Sequence, residues 1–404
     1  MKTDAAAARA PMTALMAWTR ERASEMVSLL RDVVEIESPS TDPTAVAALA
    51  VRLSRELTTI GIETERVPVH GAGPILRAHT RPAERALEGP AATRPIMLLG
   101  HLDTVWPLGT LAARPVRIEG GLLMGPGCYD MKAGLVVAVW ALKALAARGP
   151  LPPCTVFFTP LEEVDCEPYR ALMETEMKAC RAVLGFEPAW PGGAVKTSRK
   201  GSGSFLLRAH GRAAHAGADP QRGKNAVIEL CRKALEISEM SMPDRGLTLN
   251  VGVIRGGIRP NVIPDLAELE VDLRYIDPAD GHRAEAALRA LRPRDPGISL
   301  ELEGGLHYPP LFRGPHVIAV YEAAKAVARE MDLTLEEVSS GGASEASFAA
   351  ALEVPTLDGL GADGDGAHAE DENVVLSSLP DRVALVTALV ERLAGGWPLP
   401  SARS

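Results

Sequence analysis

The residues best suited to chemistry stand where apolar runs stop. Ile96-Met97-Leu98-Leu99 reads as a buried strand and ends in Gly100-His101-Leu102-Asp103-Thr104. Residues two apart on a strand share a face, so His101 and Asp103 point the same way. A carboxylate so placed can hold the second N–H of a metal-ligating imidazole. After a loop, Gly125-Pro126-Gly127-Cys128-Tyr129-Asp130 brings another carboxylate to the start of a helical pattern over Met131–Ala147. Two further apolar runs, Thr155–Thr159 and Ala182–Phe186, lead into Glu162-Glu163 and Glu187. Strand ends of an α/β sheet are where sites are built. Alone, His101 or Asp103 reads better as a strand end facing solvent. The pattern lies in successive strands that each end in acid or His.

These residues need a frame of helices and strands. Apolar positions at Leu15, Met16, Met26, Leu29, Leu30, Val33 and Val34 predict a helix over Met12–Glu35, broken at Pro39. A second helix is expected over Pro43–Thr59, with strands near Ile62–Val67 and Ile75–His79. Arg81 to Arg94, rich in Ala, Pro, Glu and Arg, reads as an exposed loop. Between Ser198 and Leu311 the texture changes. Strands are expected over Phe205–His210, Leu247–Ile254, Ala267–Tyr275 and Ile298–Leu302, and helices over Pro220–Met240 and Gly281–Leu291. In Ala267–Tyr275, Leu269, Val271 and Leu273 take one face and Glu270, Asp272 and Arg274 the other. The order β-α-β-β-α-β predicts a small split βαβ domain with one open sheet face. An α/β pattern then resumes. It has helices over His316–Met331 and Glu345–Leu352, strands near Thr334–Val338 and Pro355–Leu357, and a last helix over Pro380–Leu393 with Ser378 as N-cap. At 404 residues the chain exceeds one ordinary core. The expected division is 1–197 and 312–404 as the two parts of an α/β domain, with 198–311 inserted between them.

Composition narrows the function. Hydrophobic residues at 46% and charged residues at 24% give a globular balance, and a net charge of −9 argues against a nucleic-acid partner. No apolar run approaches a membrane span, and Met1 to Trp18 lacks the sustained apolar stretch of a signal peptide. The five cysteines (128, 154, 166, 180 and 231) include no C-x-x-C pair, which points to reduced thiols and a cytoplasmic location. Gly359-Leu360-Gly361-Ala362-Asp363-Gly364 matches G-x-G-x-x-G, but the residues after it do not open a helix, so a dinucleotide site is not expected. No G-x-S-x-G elbow supports a serine hydrolase.

Seven stretches together carry a family resemblance. They are Gly100-His101-Leu102-Asp103-Thr104-Val105, Gly125–Lys132, Thr159-Pro160-Leu161-Glu162-Glu163, Phe186-Glu187-Pro188, Gly211–Gly217 around His215, Asn261-Val262-Ile263-Pro264, and Gly359-Leu360-Gly361 with His368. In this order they resemble the M20 family of metallopeptidases. The likeness is greatest to the glutamate carboxypeptidase type, with acetylornithine deacetylase and succinyl-diaminopimelate desuccinylase branches near by.

The resemblance implies an α/β zinc-peptidase catalytic domain with a mixed sheet flanked by helices, and an inserted ferredoxin-like α+β dimerisation (lid) domain. It implies two zinc ions per subunit: His101 and Glu187 on one, Glu163 and His368 on the other, and Asp130 bridging. The donor set would also suit cobalt or manganese. Asp103 would orient His101, and Glu162 would be the general base. His215 would reach the partner subunit's site in a homodimer, while Asn261, Arg274 and Lys196 would bind the substrate carboxylate. A cis Asp130–Met131 peptide bond is also implied. Two positions depart from the family pattern: Val164-Asp165-Cys166 replaces a small pair, and Glu345 stands for an Asp after Ser340-Gly341-Gly342-Ala343-Ser344. Both bear on specificity. The reading is a zinc-dependent hydrolase that releases a C-terminal amino acid, acidic ones included, from a small peptide or N-acyl amino acid. The alternatives are an N-acyl-amino-acid or acetylornithine-type deacylase and, in another class, a non-catalytic binding protein that kept the fold.

Overall fold

The structure, a computed structural model, describes residues 2–80 and 94–400. The loop expected from Arg81 falls on residues 81–93, outside those described. Among the described residues, no helix is long and apolar enough to cross a membrane. The chain forms two compact units. The first comprises Met1–Thr197, Arg313–Ser339 and Ser344–Ser404, and the second Ser198–Phe312 with Ser340–Ala343.

The first unit is built on a mixed six-stranded sheet. Its order is Thr64–Val67, Ile75–His79, Cys154–Thr159, Ile96–His101, Ala182–Gly185 and Thr356–Leu357. The last four strands are mutually parallel, and the first two run antiparallel at one edge. Cys154–Thr159, Ile96–His101 and Ala182–Gly185 are buried at every residue, as parallel strands covered on both faces must be. The helix Ala133–Arg148 is buried nearly all round, from Ala133 through Leu142 and again at Ala144 and Leu145, so it is an interior element. Its second residue, Gly134, packs so closely on Phe186 O that a side chain there would run into that carbonyl.

A smaller antiparallel sheet sets the site's geometry. It joins Gly364–Asp365, Asn373–Val375, Leu122–Met124 and Arg117–Glu119 in that order. These strands of two and three residues give no periodicity to read, and the sequence analysis did not find them. They bring the chain just before Gly125 beside the chain on either side of His368.

The second unit has the β-α-β-β-α-β order read from the sequence. Its sheet runs Thr248–Gly256, Leu266–Tyr275, Gly201–His210, Ser299–Tyr308, all neighbours antiparallel. Phe205, Leu207, Leu269, Val271 and Leu273 pack on Leu230 and Ile237 of the helix Ala226–Ser238 and on Ala284 and Leu288 of Pro278–Arg289. The other sheet face carries cross-strand ion pairs, Arg208 with Glu268 (2.9 Å) and with Glu303 (2.6 Å).

Several boundaries differ from expectation, each for a local reason. The first helical pattern is two helices, Lys2–Glu21 and Ala23–Val34, because Arg22 leaves helical geometry and its guanidinium bonds back to Trp18 O at 3.1 Å. The helix expected from Pro220 starts at Ala226, where Asn225 accepts from Ile228 N, and Pro220–Arg222 is a separate short turn. Ser378 is not the N-cap of the last helix, which spans Ser378–Ala394. Its hydroxyl instead donates to Val375 O (2.7 Å) and accepts from Asp363 N (3.1 Å). The strand near Thr334–Val338 lies at Glu337–Ser340. Gly134→Ala is expected to lower unfolding stability by about 1–3 kcal/mol, since the methyl must displace backbone rather than a flexible side chain. Denaturant unfolding checks this, and an unchanged midpoint would contradict the close packing at Phe186.

Candidate metal centre

The site begins with one buried carboxylate. Asp103 is wholly inaccessible, yet each oxygen has donors. Oδ1 accepts from Glu162 N at 3.1 Å, and Oδ2 accepts from Glu163 N at 3.2 Å and from Ser40 Oγ at 2.7 Å. Asp103 therefore fixes the backbone from which Glu162 and Glu163 project. It also lies beside His101, whose Nδ1 is 2.9 Å from Asp103 O and 3.4 Å from Oδ1. Two acceptors at Nδ1 put the proton there and turn Nε2 toward the site as the nitrogen able to ligate.

Asp130 is reached by a different route. The turn Cys128–Lys132 precedes the helix Ala133–Arg148, and the Asp130–Met131 bond is cis. Its two oxygens face different imidazoles: Oδ1 is 3.3 Å from His101 Nε2, and Oδ2 is 3.4 Å from His368 Nε2. His101 Nε2 is also 3.7 Å from Glu187 Oε1, and His368 Nε2 is 3.2 Å from Glu163 Oε2. Among the described residues, two groups thus have ligand atoms mutually within 4.8 Å: His101, Asp130 and Glu187, and Asp130, Glu163 and His368. Ligands about 2.0–2.2 Å from a tetrahedral cation such as zinc lie about 3.3–3.6 Å from one another, so both groups fit such an ion. Glu187 is set by the glycine run. Leu360 N bonds Gly185 O (3.0 Å), Gly361 N bonds Glu187 O (2.9 Å), and a side chain at Gly361 would press on Glu187 O. His368 takes a left-handed backbone, φ 64°, which is uncommon outside glycine.

The electrostatics follow from this crowding. Burial disfavours the His101 imidazolium, but bonds to Asp103 and Asp130 and the Glu162 charge hold it well above the ordinary range. Bonds to Asp130 and Glu163 push His368 up to about 10. Burial would raise Asp130, and the two imidazoles overcome that and hold it below the usual carboxylate range. Glu162 lies well above that range through burial and then the Glu187 charge, and burial with the Asp130 charge raises Glu163 despite its His368 bond.

The remaining singled-out residues divide between the units. Lys196, in the first unit, is buried and its N–H bonds Asp358 O at 2.8 Å. Glu345 lies beneath the strand ends, accepting from Thr159 Oγ1 (2.8 Å) and Tyr169 Oη (2.6 Å), and burial pushes it up to about 7. Val164, beside Glu163, is largely exposed. In the second unit, His215 pairs with Val262 across a two-stranded ladder, and Ala216 N bonds Asn261 O at 3.0 Å, which brings His215 and Asn261 together. Gly217 N and Ala218 N both donate to His215 Nδ1, so the neutral ring carries its proton on Nε2. Arg274 is on the polar sheet face as read, but its guanidinium pairs with Asp272 at 3.0 Å. Sequence reasoning missed Ser40 and Glu372, the latter hydrogen-bonded to the backbone of the Asp130 turn. Neither belongs to an apolar period or to a motif of the site.

The chain is similar to known proteins over most of its length. A model described as Peptidase family M20/M25/M40 matches residues 97–392. The chain is 30% identical over 379 residues to carboxypeptidase G2 of Pseudomonas sp. (strain RS-16), covering 92% of this chain and 90% of that protein. It is 29% identical over 391 residues to a succinyl-diaminopimelate desuccinylase of Cereibacter sphaeroides, covering 90% and 98%. In fold it matches the M20 family metallo-carboxypeptidase Sso-CP2 from Sulfolobus solfataricus, with a TM-score of 0.70 at 14% identity over 92% of this chain and 99% of that one.

The raised imidazoles set a checkable pH dependence. Ligation needs neutral imidazole, so metal loading of metal-free protein at pH 8 should release at least about one proton per chain, from His368. Metal affinity should rise with pH until His368 is neutral, near its value of about 10. A pH-stat titration measures both, and release near zero would contradict the charge state described.

Proposed function

Because the chain belongs to peptidase family M20/M25/M40, and is thereby a metal-dependent hydrolase of amide bonds, we propose that it works with two zinc ions and releases a C-terminal amino acid from an N-acyl or peptidyl substrate. The observation that carries the two-ion reading is Asp130, whose oxygens each face a different imidazole of a different ligand group. His101 and Glu187 would hold one ion, Glu163 and His368 the other, with Asp130 shared. When bound, such ions supply Lewis acidity and lower the pKa of water at the site.

The chain's own residues supply the proton transfers and the binding. Glu162 would take the proton of the attacking water and return it to the leaving amine nitrogen. Its backbone anchor on Asp103 and its raised affinity for protons support that role. Asp103 would keep His101 in the ligating tautomer. His215, with its proton on Nε2, is suited to donate to a developing oxyanion. Asn261, Arg274 and Lys196 are proposed to bind the terminal carboxylate, with Arg274 exchanging its Asp272 pair for substrate. The desuccinylase relative supports deacylation of an N-acyl amino acid as a second reading. A panel of dipeptides and N-acyl amino acids with one acyl group separates the two.

A homodimer through the second unit, with His215 serving the partner, belongs to the same proposal. The edge strand Thr248–Gly256 exposes Ile254, and the helix Ala226–Ser238 exposes Ile228 and Leu235, an apolar strip beside an open edge. The five cysteines are free, which supports a reducing, cytoplasmic location.

Glu162→Gln should retain metal and lose activity by roughly a hundred- to ten-thousand-fold. Loss of metal from this variant would reassign Glu162 as a ligand. Mixing it with His215→Ala should restore up to about a quarter of wild-type activity, since random pairing makes half the dimers mixed with one intact site each. No recovery from verified mixed dimers would place His215 in its own subunit's site.

A further inference from the structure

Glu372 lies four residues after His368 and is almost wholly buried, at 1% exposure. A carboxylate in that position must be matched by donors. Its oxygens collect four. Oε1 accepts from Tyr129 N (2.9 Å) and Asp130 N (3.0 Å). Oε2 accepts from Gly127 N (2.8 Å) and Trp106 Nε1 (2.9 Å). Three backbone N–H groups of the Asp130 turn, those of Gly127, Tyr129 and Asp130, thus converge on one side chain from the far end of the chain. The turn is shaped for this: Gly127 has φ 70°, and a side chain there would strike Thr104. The indole that completes the set is held in turn by Arg114. That guanidinium lies 3.9 Å from the Trp106 ring and donates to Glu370 O at 3.1 Å, two residues before Glu372.

We propose that Glu372 is the positioning residue of the bridging carboxylate, aiming Asp130 by gripping its backbone and tying it to the loop that carries His368. The inference rests on the metal reading above. The four donors on the Glu372 carboxylate include neither imidazole. Glu372 acts through the peptide N–H of Asp130, and through its own place in the chain it fixes the separation of two ligands of one metal group. The chemistry requires a carboxylate, because all four partners are donors. A glutamine of the same shape would present its NH2 to two of them, turning attraction into repulsion. A residue that supported only the fold would stabilise the unit without changing how well the site holds a cation.

Metal affinity and folding are therefore measured separately. Wild type, Glu372→Gln and Trp106→Phe are stripped of metal, their thermal unfolding is followed by circular dichroism, and zinc is titrated in competition with a chromophoric chelator. Zinc affinity should fall about 10- to 100-fold in Glu372→Gln, the usual effect of removing a partner behind a metal ligand. It should fall in the same direction but less in Trp106→Phe, which loses one donor of four. Excess zinc should restore turnover in both. A folded Glu372→Gln that binds zinc like wild type overturns the proposal. If that variant does not fold, Trp106→Phe decides: weakened zinc binding supports the proposal, and unchanged binding overturns it. Failure of wild type itself to bind zinc would instead remove the metal reading.

Discussion

The centre depends on a buried anion satisfied without a metal. Asp103 is inaccessible to water, and its oxygens are occupied by Ser40 Oγ and the amides of Glu162 and Glu163. An unpaired charge at that depth would cost several kcal/mol, so the donors have to be there for the fold to hold it. The Leu161–Glu163 segment, the loop at Ser40 and the end of the central strand are locked together by that need. His101 then inherits its orientation, since its Nδ1 meets Asp103's own carbonyl. One side chain thus places a candidate base, one candidate ligand of each group and the tautomer of an imidazole.

The same economy appears on the other side of the site, where Glu372 gathers the amides of the Asp130 turn. Acids here fall into two kinds. Asp130, Glu163 and Glu187 turn toward one another and toward imidazole nitrogens, a strongly repulsive cluster unless cations or protons neutralise it. Asp103 and Glu372 turn away from that cluster and spend their charge on backbone. The second kind holds the first kind together.

Much of this was legible in the sequence, for identifiable reasons. Ile96–Leu99, Thr155–Thr159 and Ala182–Gly185 are unbroken apolar runs because both their faces are covered, and such runs announce both the strand and its end, where His101 and Glu187 stand. The alternation of Leu269, Val271 and Leu273 with Glu270, Asp272 and Arg274 revealed the one-sided sheet of the second unit. Other features carried no such signal. The strands Leu122–Met124 and Asn373–Val375 are too short for a period, and their pairing joins residues some 250 positions apart. Ser378 looked like a cap because its type suits one, but its hydroxyl answers to Asp363, a partner that only the folded chain supplies. Glu372 gave no sign because a buried acid and a surface acid are spelled alike.

The first unit is interrupted by the second, and this has a consequence for synthesis on the ribosome. Residues 198–312, the whole second unit apart from Ser340–Ala343, emerge as an uninterrupted stretch and can begin to assemble once they clear the exit tunnel. The first unit cannot. Its sheet waits for Thr356–Leu357, and its candidate ligand set waits for His368, while His101, Asp130, Glu163 and Glu187 have long been translated. During that interval the nascent chain holds an acid-rich half-site and an open sheet edge with no strand to close it. Completion of the candidate cation site is therefore a late event in the life of the polypeptide, coming after nearly all of the unit encoded in its middle has been made.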